Sequence, residues 1–252
     1  MKRLIAALML LSVSARAGEA LDAIRARGVL RVGTTGDYKP FTFRQADGSY
    51  MGADIVMAGR LAERLGVRLE VVPTVWASLL PDFVAGRYDV AMGGVSVTPP
   101  RAARGTFSAV TFVDGKRPVA RCPDQDRFTS VEAIDQPGVR VVVNPGAANE
   151  EFARANFRRA TLTVHKDNST VFDEILANRA DVMVTDGIEV DHQSFLHPEL
   201  CPVHVPAPFT RLEKAYLLPR DPELAALVDG WLAAERSSGE FDRILAAAQR
   251  EP

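Results

Sequence analysis

The sequence predicts an α/β fold of two lobes that are interleaved along the chain and face each other across a cleft. Short apolar stretches typical of strands alternate with stretches of helical spacing, an order typical of mainly parallel sheets. The alternation restarts after Pro118, and a late stretch, 213–218, is predicted to be a strand that returns to the first unit. The chain has 252 residues, which is enough for two lobes with cores of their own.

Lobe 1 is predicted from both ends of the chain, residues 18–117 and 209–252. Its elements follow from apolar runs bounded by turn residues, from apolar positions that recur every three or four residues, and from a helix stop at Gly86. The expected strands are 29–33, 69–72 and 89–92, and the expected helices are 54–65, 79–85 and 222–248.

Lobe 2 is predicted from the middle of the chain, residues 118–208. The same signals give strands at 139–143, 162–165 and 181–185, and helices at 149–157 and 169–176. The chain would cross between the lobes near 115–118 and again near 206–209, and these two crossings would act as hinges. Ligands of open α/β folds bind beyond the carboxyl ends of the strands, so the cleft between the lobes is the predicted binding site.

The first 17 residues have the features of a signal peptide. Lys2 and Arg3 give a positive start, residues 4–13 are apolar, and Ala15-Arg16-Ala17 fits a small-x-small cleavage site. The alternative is an N-terminal core helix, which is disfavoured because the run is apolar on every side. The apolar run is too short to span a bilayer. The residue after the predicted cleavage site is Gly18, not a cysteine that could carry a lipid anchor. We therefore expect a periplasmic protein with no stable membrane anchor.

The composition excludes several classes of function. A formal net charge of -2 gives no electrostatic reason to expect binding to nucleic acid or to an anionic membrane, so a small molecule is the expected partner. The sequence has no Gly-x-Ser-x-Gly elbow and no phosphate-binding loop. No metal site is predicted, because the histidines lack zinc-like spacing. They are His165, His192, His197 and His204.

The chain has two cysteines, Cys122 and Cys201. An oxidising compartment and an even number of cysteines favour a disulfide between them. The alternative is a pair of buried free thiols.

Several segments resemble family 3 periplasmic solute-binding proteins, the receptors of polar amino-acid transporters. They are Gly28-Val29-Leu30-Arg31-Val32-Gly33, Gly36-Asp37-Tyr38 with Pro40-Phe41, Gly52-Ala53-Asp54 and Asp89-Val90-Ala91. Ser96-Val97-Thr98 with Arg101 is similar to that family's clamp for an amino-acid carboxylate. The resemblance implies a periplasmic-binding-protein type II fold, with interleaved lobes joined by two hinge crossings.

Longer runs are similar to one branch of that family, the periplasmic cyclohexadienyl dehydratases. They are residues 34–41, 114–116, 134–139, 143–146, 152–156, 197–201 and 213–221. This resemblance implies an enzyme that converts prephenate to phenylpyruvate, or arogenate to phenylalanine, without a cofactor. The chain departs from the branch at Ala147-Ala148, which stands where the branch has a Gly-Thr pair, so one hydroxyl contact to the ligand is lost. It also has Val56 in place of an acidic residue.

The resemblance further implies that Glu189 is the general acid that protonates the leaving hydroxyl group. From the residues alone, Asp186-x-x-Glu189 is also a capping box at the start of a helix. Arg101 suits a bidentate contact with the side-chain carboxylate of the substrate, and the alternative is a solvated helix arginine. Lys116 is expected to meet the ring carboxylate, although a lysine near a hinge can equally be a surface residue.

Further side chains complete the predicted substrate site, each with an ordinary structural alternative. Asparagines at a turn that opens a helix can bind a ligand or cap the helix, and aromatic residues can line a ring pocket or pack in a core. The acidic residues would raise the pKa of Glu189 and could bind the amine of arogenate. These further residues are Asp37, Phe41, Trp76, Ser96, Asn144, Asn149 and Asp186.

A second function remains open at this point. An amino-acid-binding receptor of an ABC transporter would share the fold, the signal peptide and Arg101. Such a receptor would have no need for an acid at Glu189. If Glu189 is essential for turnover of a substrate, the protein is the enzyme and not the receptor.

Overall fold

The computed structural model of the chain describes residues 18–251, and the predicted signal peptide, 1–17, lies outside the described residues. The helices are α1 Glu19–Arg27, α2 Ala53–Leu65, α3 Leu79–Val84, α4 Pro99–Ala102, α5 Val131–Ile134, α6 Ala147–Asn156, α7 Asp173–Leu176, α8 Gly187–Leu196, α9 Pro222–Ser237 and α10 Glu240–Ala248. The strands are β1 Val29–Thr34, β2 Asp37–Tyr38, β3 Thr42–Arg44, β4 Tyr50–Met51, β5 Arg68–Pro73, β6 Val90–Ala91, β7 Thr106–Phe107, β8 Phe112–Asp114, β9 Lys116–Arg121, β10 Arg140–Val143, β11 Thr161–Val164, β12 Val182–Asp186, β13 Leu200–Pro202, β14 Leu212–Lys214 and β15 Leu217–Leu218.

Lobe 1 is built on a five-stranded sheet with the order β5-β1-β6-β15-β7. β1 runs parallel to β5 and β6, and β15 from the end of the chain runs antiparallel to β6 and β7. The apolar face of α2 packs against the β1 side chains, as its spacing predicts: Met57, Leu61 and Leu65 are buried together with Val32. The two ends of the chain therefore form one lobe.

Lobe 2 is built on a second five-stranded sheet with the order β11-β10-β12-β9-β13. β10 runs parallel to β11 and β12, whereas β9 runs antiparallel to β12 and β13. Cys122, just after β9, forms a disulfide with Cys201 in β13, with the two Cα atoms 4.7 Å apart. The predicted disulfide is confirmed, and it ties the edge strand β13 to the sheet.

The two lobes are joined by β8 and β14, which pair antiparallel to each other outside both large sheets. β9, the first strand of the second sheet, begins at Lys116, two residues before the predicted start of lobe 2. Lys116 and Arg117 already pair with Asp186 and Thr185 of β12. Both crossings of the chain lie beside the carboxyl end of β12.

Three predicted elements are divided in the structure. The stretch 169–176 contains a 3₁₀ turn, Asn168–Thr170, followed by α7, and 213–218 is split between two strands of different sheets. The helical stretch 222–248 is interrupted at Gly239, whose φ of 75° is left-handed and ends the run of α9. Neither α1 nor the small sheet of β2, β3 and β4 was predicted.

Among residues 18–251, no helix is both long enough and apolar enough to cross a lipid bilayer.

Candidate functional site

A cavity lies between the two lobes, in the place where ligands of open α/β folds bind. Both lobes contribute to its wall. The lining residues are Tyr38, Trp76, Gly94, Ser96, Arg101, Lys116, Asn144, Ala148, Asn149, Asn168, Asp186, Glu189 and Lys214. Most of the predicted site residues are among them.

The junction between β12 and α8 brings two acidic residues into this cavity. Asp186 is the last residue of β12, and Glu189 lies in the first turn of α8. Asp114, from the hinge strand β8, accepts a hydrogen bond from the backbone N–H of Ile188 at 2.8 Å. The start of α8 is therefore capped from the hinge, which leaves the side chains of Asp186 and Glu189 for other contacts.

The capping box that the spacing of these residues suggests is not formed. Asp186 precedes the first residue of α8, but its side chain makes no capping hydrogen bond. The carboxyl group of Glu189 accepts a hydrogen bond from the Thr185 hydroxyl instead. Helix capping therefore does not explain either acidic residue.

Asp186 is surrounded by two ammonium groups. The Lys116 Nζ lies 2.7 Å from Oδ1, and the Lys214 Nζ lies 2.5 Å from Oδ2, which also accepts a hydrogen bond from the Tyr38 hydroxyl at 2.5 Å. Burial alone would raise the pKa of Asp186, but the two lysines hold it well below its usual range. Burial lowers the pKa of Lys116. Lys214 comes from lobe 1 and also donates to Ser96 Oγ at 2.9 Å.

Glu189 is only 3% exposed and has the opposite titration behaviour. Burial raises its pKa to about 8; the negative charges of Asp186 and Asp37 act in the same direction, against the Thr185 hydrogen bond and the Lys116 charge. At neutral pH Glu189 is therefore a carboxylic acid that carries a proton, beside a carboxylate that does not. Such a pair with separated pKa values is typical of acid–base chemistry.

Asn149 connects the lysine and glutamate parts of the site. Lys116 donates a hydrogen bond to its Oδ1, and its Nδ2 donates to Asn144 Oδ1 at 2.8 Å and to Thr185 Oγ1 at 3.0 Å. Both donors of the Asn149 amide are thus used within the protein. Asn149 positions its neighbours, and Asn144 lines the cavity beside it.

Arg101 is a buried, positively charged residue in the cavity wall. Its Nη1 donates to the backbone oxygen of Ser96 at 2.9 Å, and its guanidinium lies 6.0 Å from the centre of the Trp76 ring. No carboxylate of residues 18–251 forms a salt bridge with it. Burial lowers the pKa of Arg101, yet an arginine stays charged in proteins. The free fork is suited to a ligand carboxylate.

Two predicted site residues do not lie in the cavity wall. Phe41 is 1% exposed and packs against the rings of Tyr38 and Phe112. It lies behind Gly94, where an added Cβ would come within 2.6 Å of the Phe41 ring. Asp37 lines a different cavity, on another side of Glu189. The structure therefore places Asp37 and Phe41 outside the wall of this cavity, and their contact with the substrate stays a prediction.

Sequence reasoning missed Tyr38, Asn168 and Lys214. Lys214 had the clearest signal, because a lysine in a stretch predicted to be a buried strand needs a charged partner. Tyr38 lies in a turn that was noted for its resemblance but was not selected. Among the described residues, 18–251, no group of three or more His, Cys, Asp or Glu side chains could hold a metal ion.

Comparisons with known proteins agree with this architecture. Residues 30–247 match the family described as bacterial extracellular solute-binding proteins, family 3. Cyclohexadienyl dehydratase of Pseudomonas aeruginosa is 51% identical over 232 residues, which cover 92% of this chain and 87% of that protein. The predicted two-lobed α/β fold is confirmed.

Two crystal structures of ancestral proteins are also similar. One is an ancestral amino acid-binding protein described as a precursor of cyclohexadienyl dehydratase; it is 33% identical, with a TM-score of 0.81, over 90% of this chain and 97% of that one. The other is an ancestral cyclohexadienyl dehydratase, 44% identical, with a TM-score of 0.58, over 94% of this chain and 98% of that one. This chain belongs to family 3 of the bacterial extracellular solute-binding proteins.

Proposed function

We propose that the protein is a cyclohexadienyl dehydratase, a lyase that converts prephenate to phenylpyruvate, or arogenate to phenylalanine, in the cavity between the lobes. We also infer that it works in the periplasm, the compartment of its family. The observation that carries the proposal is the buried Glu189, whose raised pKa favours its protonated form, in the wall of a positively charged cavity. The 51% identical dehydratase supports the same reaction.

Glu189 supplies what the reaction needs most. Prephenate loses a ring hydroxyl group and a ring carboxylate, and hydroxide is a poor leaving group unless it is protonated. Glu189 donates its proton to that hydroxyl oxygen, the C–O bond breaks and water leaves. The bond to the ring carboxylate breaks at the same ring, carbon dioxide leaves, and the electron pair of that bond makes the ring aromatic. Glu189 remains as a carboxylate.

The charges of the cavity match the charges of prephenate. Arg101, Lys116 and Lys214 are cations and Asp186 is an anion. Because Glu189 is neutral, a surplus of two positive charges remains for the two carboxylates of the substrate. Arg101 would bind the carboxylate of the pyruvyl side chain, and Lys116 would lie against the ring carboxylate.

An amino-acid receptor is the second candidate, and the likeness to an ancestral amino acid-binding protein favours it. Such a receptor needs a carboxylate for the α-ammonium group of its ligand. Both oxygens of Asp186 are already bound to Lys116 and Lys214, so an amine would have to displace a lysine. This observation favours the dehydratase. By the same argument, prephenate, which has a keto group in place of the amine, suits the site better than arogenate.

The deciding experiment is a turnover assay of purified residues 18–252 on prephenate and arogenate, with Glu189→Gln in parallel. We expect product from the native protein and a loss of kcat of roughly 10²- to 10⁴-fold in the variant, with ligand binding kept. Glu132→Gln, an exposed residue of lobe 2, is the matched control and should keep full activity. Tight binding of an intact amino acid without any turnover would identify a receptor instead.

A further inference from the structure

A second cavity lies against Glu189. It has about 630 Å³ of empty space, part of it open to solvent. Its wall consists of Asp37, Lys39, Phe43, Asn168, Ser169, Glu189, Gln193, Leu196 and His197. Glu189 belongs to the walls of both cavities, the proposed reaction site and a space that is partly open to solvent.

Asp37 is a titratable group of this second cavity for which the proposed reaction has no use. Its Oδ1 is buried, and Thr35 Oγ1 and Trp76 Nε1 lie close enough to lower its pKa, although none of these three atoms forms a hydrogen bond of good geometry within residues 18–251. Burial raises the pKa of Asp37, against the lowering effect of the nearby Thr35 and Trp76 groups. The negative charge of Asp37 in turn raises the pKa of Glu189, so the two carboxyl groups affect each other's protonation.

The second cavity is formed by both lobes. Asp37 is in β2 of lobe 1, whereas Glu189 is in α8 of lobe 2. Asn168 of lobe 2 donates a hydrogen bond to the backbone oxygen of Asp37 at 2.7 Å, which fixes the lobes to each other at this point. With the lobes in this arrangement, the second cavity gives Glu189 a route to solvent that does not pass through the bound substrate.

The chemistry of the proposed function requires Glu189 to take up a proton in every turnover, and the inference rests on that function. The prephenate dianion and one proton give the phenylpyruvate anion, carbon dioxide and water, so each turnover consumes one proton. After the reaction Glu189 is a carboxylate, and it must take up a proton before it can act again.

We propose that the second cavity is the proton inlet of the enzyme and that Asp37 passes protons from solvent to Glu189. A proton moves from hydronium or a buffer acid in solvent to the Asp37 carboxylate and from there to the Glu189 carboxylate, through water held by the polar side chains of the second cavity. The other charged and titratable groups nearby are Lys39 and His197 on the cavity wall, His192 close to both, Asp167, whose charge acts on Asp37, and Lys116 and Asp186, whose charges act on Glu189. None of these lies in the walls of both cavities, as Glu189 does.

The test compares a single turnover with steady-state turnover of prephenate in Asp37→Asn at about pH 6, where Glu189 starts protonated in every molecule. We expect a first turnover at the native rate, then a steady state slowed by about tenfold or more, seen as a burst of one product per site. Imidazole, a small proton donor at this pH, should restore the steady-state rate, and a bulky buffer of similar pKa should not. A merely structural or electrostatic role of Asp37 would not give a burst that a small buffer removes.

Asp167→Asn is the matched control. Its side chain caps the 3₁₀ turn beside the cavity, a role that asparagine fills as well, and the same charge is removed. It should show neither burst nor rescue. Three results for Asp37→Asn would each overturn the proposal. The single-turnover and steady-state rates could fall equally, the steady-state rate could be unchanged, or a slow steady-state rate could fail to rise when imidazole is added. A native protein that turns over neither substrate would overturn the proposed function itself, so the two failures are distinguishable.

Discussion

The hydroxyl group of Thr185 donates a hydrogen bond to Oε2 of Glu189, across the junction between β12 and α8. The same hydroxyl accepts a hydrogen bond from Asn149, which in turn is bound by Lys116. Within residues 18–251 no group hydrogen-bonds the other oxygen of Glu189, Oε1, which is therefore available to hold the acidic proton. The acid is thus oriented by a chain of contacts that begins at a lysine of the substrate site.

The pH dependence of kcat/KM follows from the raised pKa of Glu189. Only the protonated form can donate, so kcat/KM should fall about tenfold per pH unit above about pH 8. The bound substrate adds negative charge beside Glu189 and raises its pKa further, so kcat should begin to fall at a higher pH than kcat/KM. Initial rates measured between about pH 5 and 10 test this. A kcat/KM that rises with pH through this range would contradict the assignment of Glu189 as an acid.

Thr185→Val removes the hydrogen bond to Glu189 and keeps the size of the side chain. This hydrogen bond lowers the pKa of Glu189, so its loss should move the basic limb of kcat/KM to higher pH. The rate below that limb should also fall, because the acid is no longer oriented. Thr163→Val, on an exposed position of β11, is the control and should leave the pH profile unchanged. A limb that moved to lower pH would be inconsistent with the hydrogen bond.

The same titration should appear in the stability of the protein. The pKa of Glu189 is raised from 4.5 in the unfolded chain to about 8 in the folded protein. The contribution of the protonated side chain to stability is therefore fully present below about pH 4.5 and is lost as the pH rises towards 8. Glu189→Gln has no such titration, so its Tm relative to the native protein should rise between about pH 5 and 9. A Tm difference that is constant across this range would disprove the buried, protonated state.

Lys214 supplies part of the positive surplus in the cavity. Lys214→Met removes one charge that faces Asp186 and reduces the surplus of positive charge available to the two substrate carboxylates from two to one. We therefore expect kcat/KM for prephenate to fall by roughly 30-fold or more, mainly through KM. Lys166→Met, on an exposed lysine, is the control for loss of a positive charge. A native KM in Lys214→Met would exclude the charge match as the basis of binding.

The helices and strands that were predicted correctly are those whose positions follow from a pattern of neighbouring residues in the sequence. The spacing of Met57, Leu61 and Leu65 determines which face of α2 is buried, and this spacing is visible in the sequence. The start of α8 beside Asp186 was also predictable, because acidic residues favour the first turn of a helix.

The parts that could not be predicted depend on contacts between distant segments. Lys214 reaches Asp186 from the other lobe, so neither residue reveals its partner by spacing. The helix start is capped by Asp114 of the hinge, which frees Asp186 from the capping role that its sequence position suggests. Asp37 and Phe41 are close in sequence to Tyr38, which lines the cavity between the lobes. The β2–β3 turn nevertheless places Asp37 at the second cavity and Phe41 behind Gly94.

Ala148 belongs to the pair Ala147-Ala148, which stands where the resemblance to cyclohexadienyl dehydratases predicts Gly-Thr. Its side chain lines the cavity between the lobes, next to Asn149. Ala148→Thr introduces a hydroxyl that can bond a substrate oxygen, and one such hydrogen bond should lower KM for prephenate by roughly two- to tenfold. Ala148→Val adds nearly the same volume without the hydroxyl and should leave KM unchanged or raise it by crowding the cavity. If the two variants have equal KM values and both keep the kcat of the native protein, the substrate does not reach this wall of the cavity.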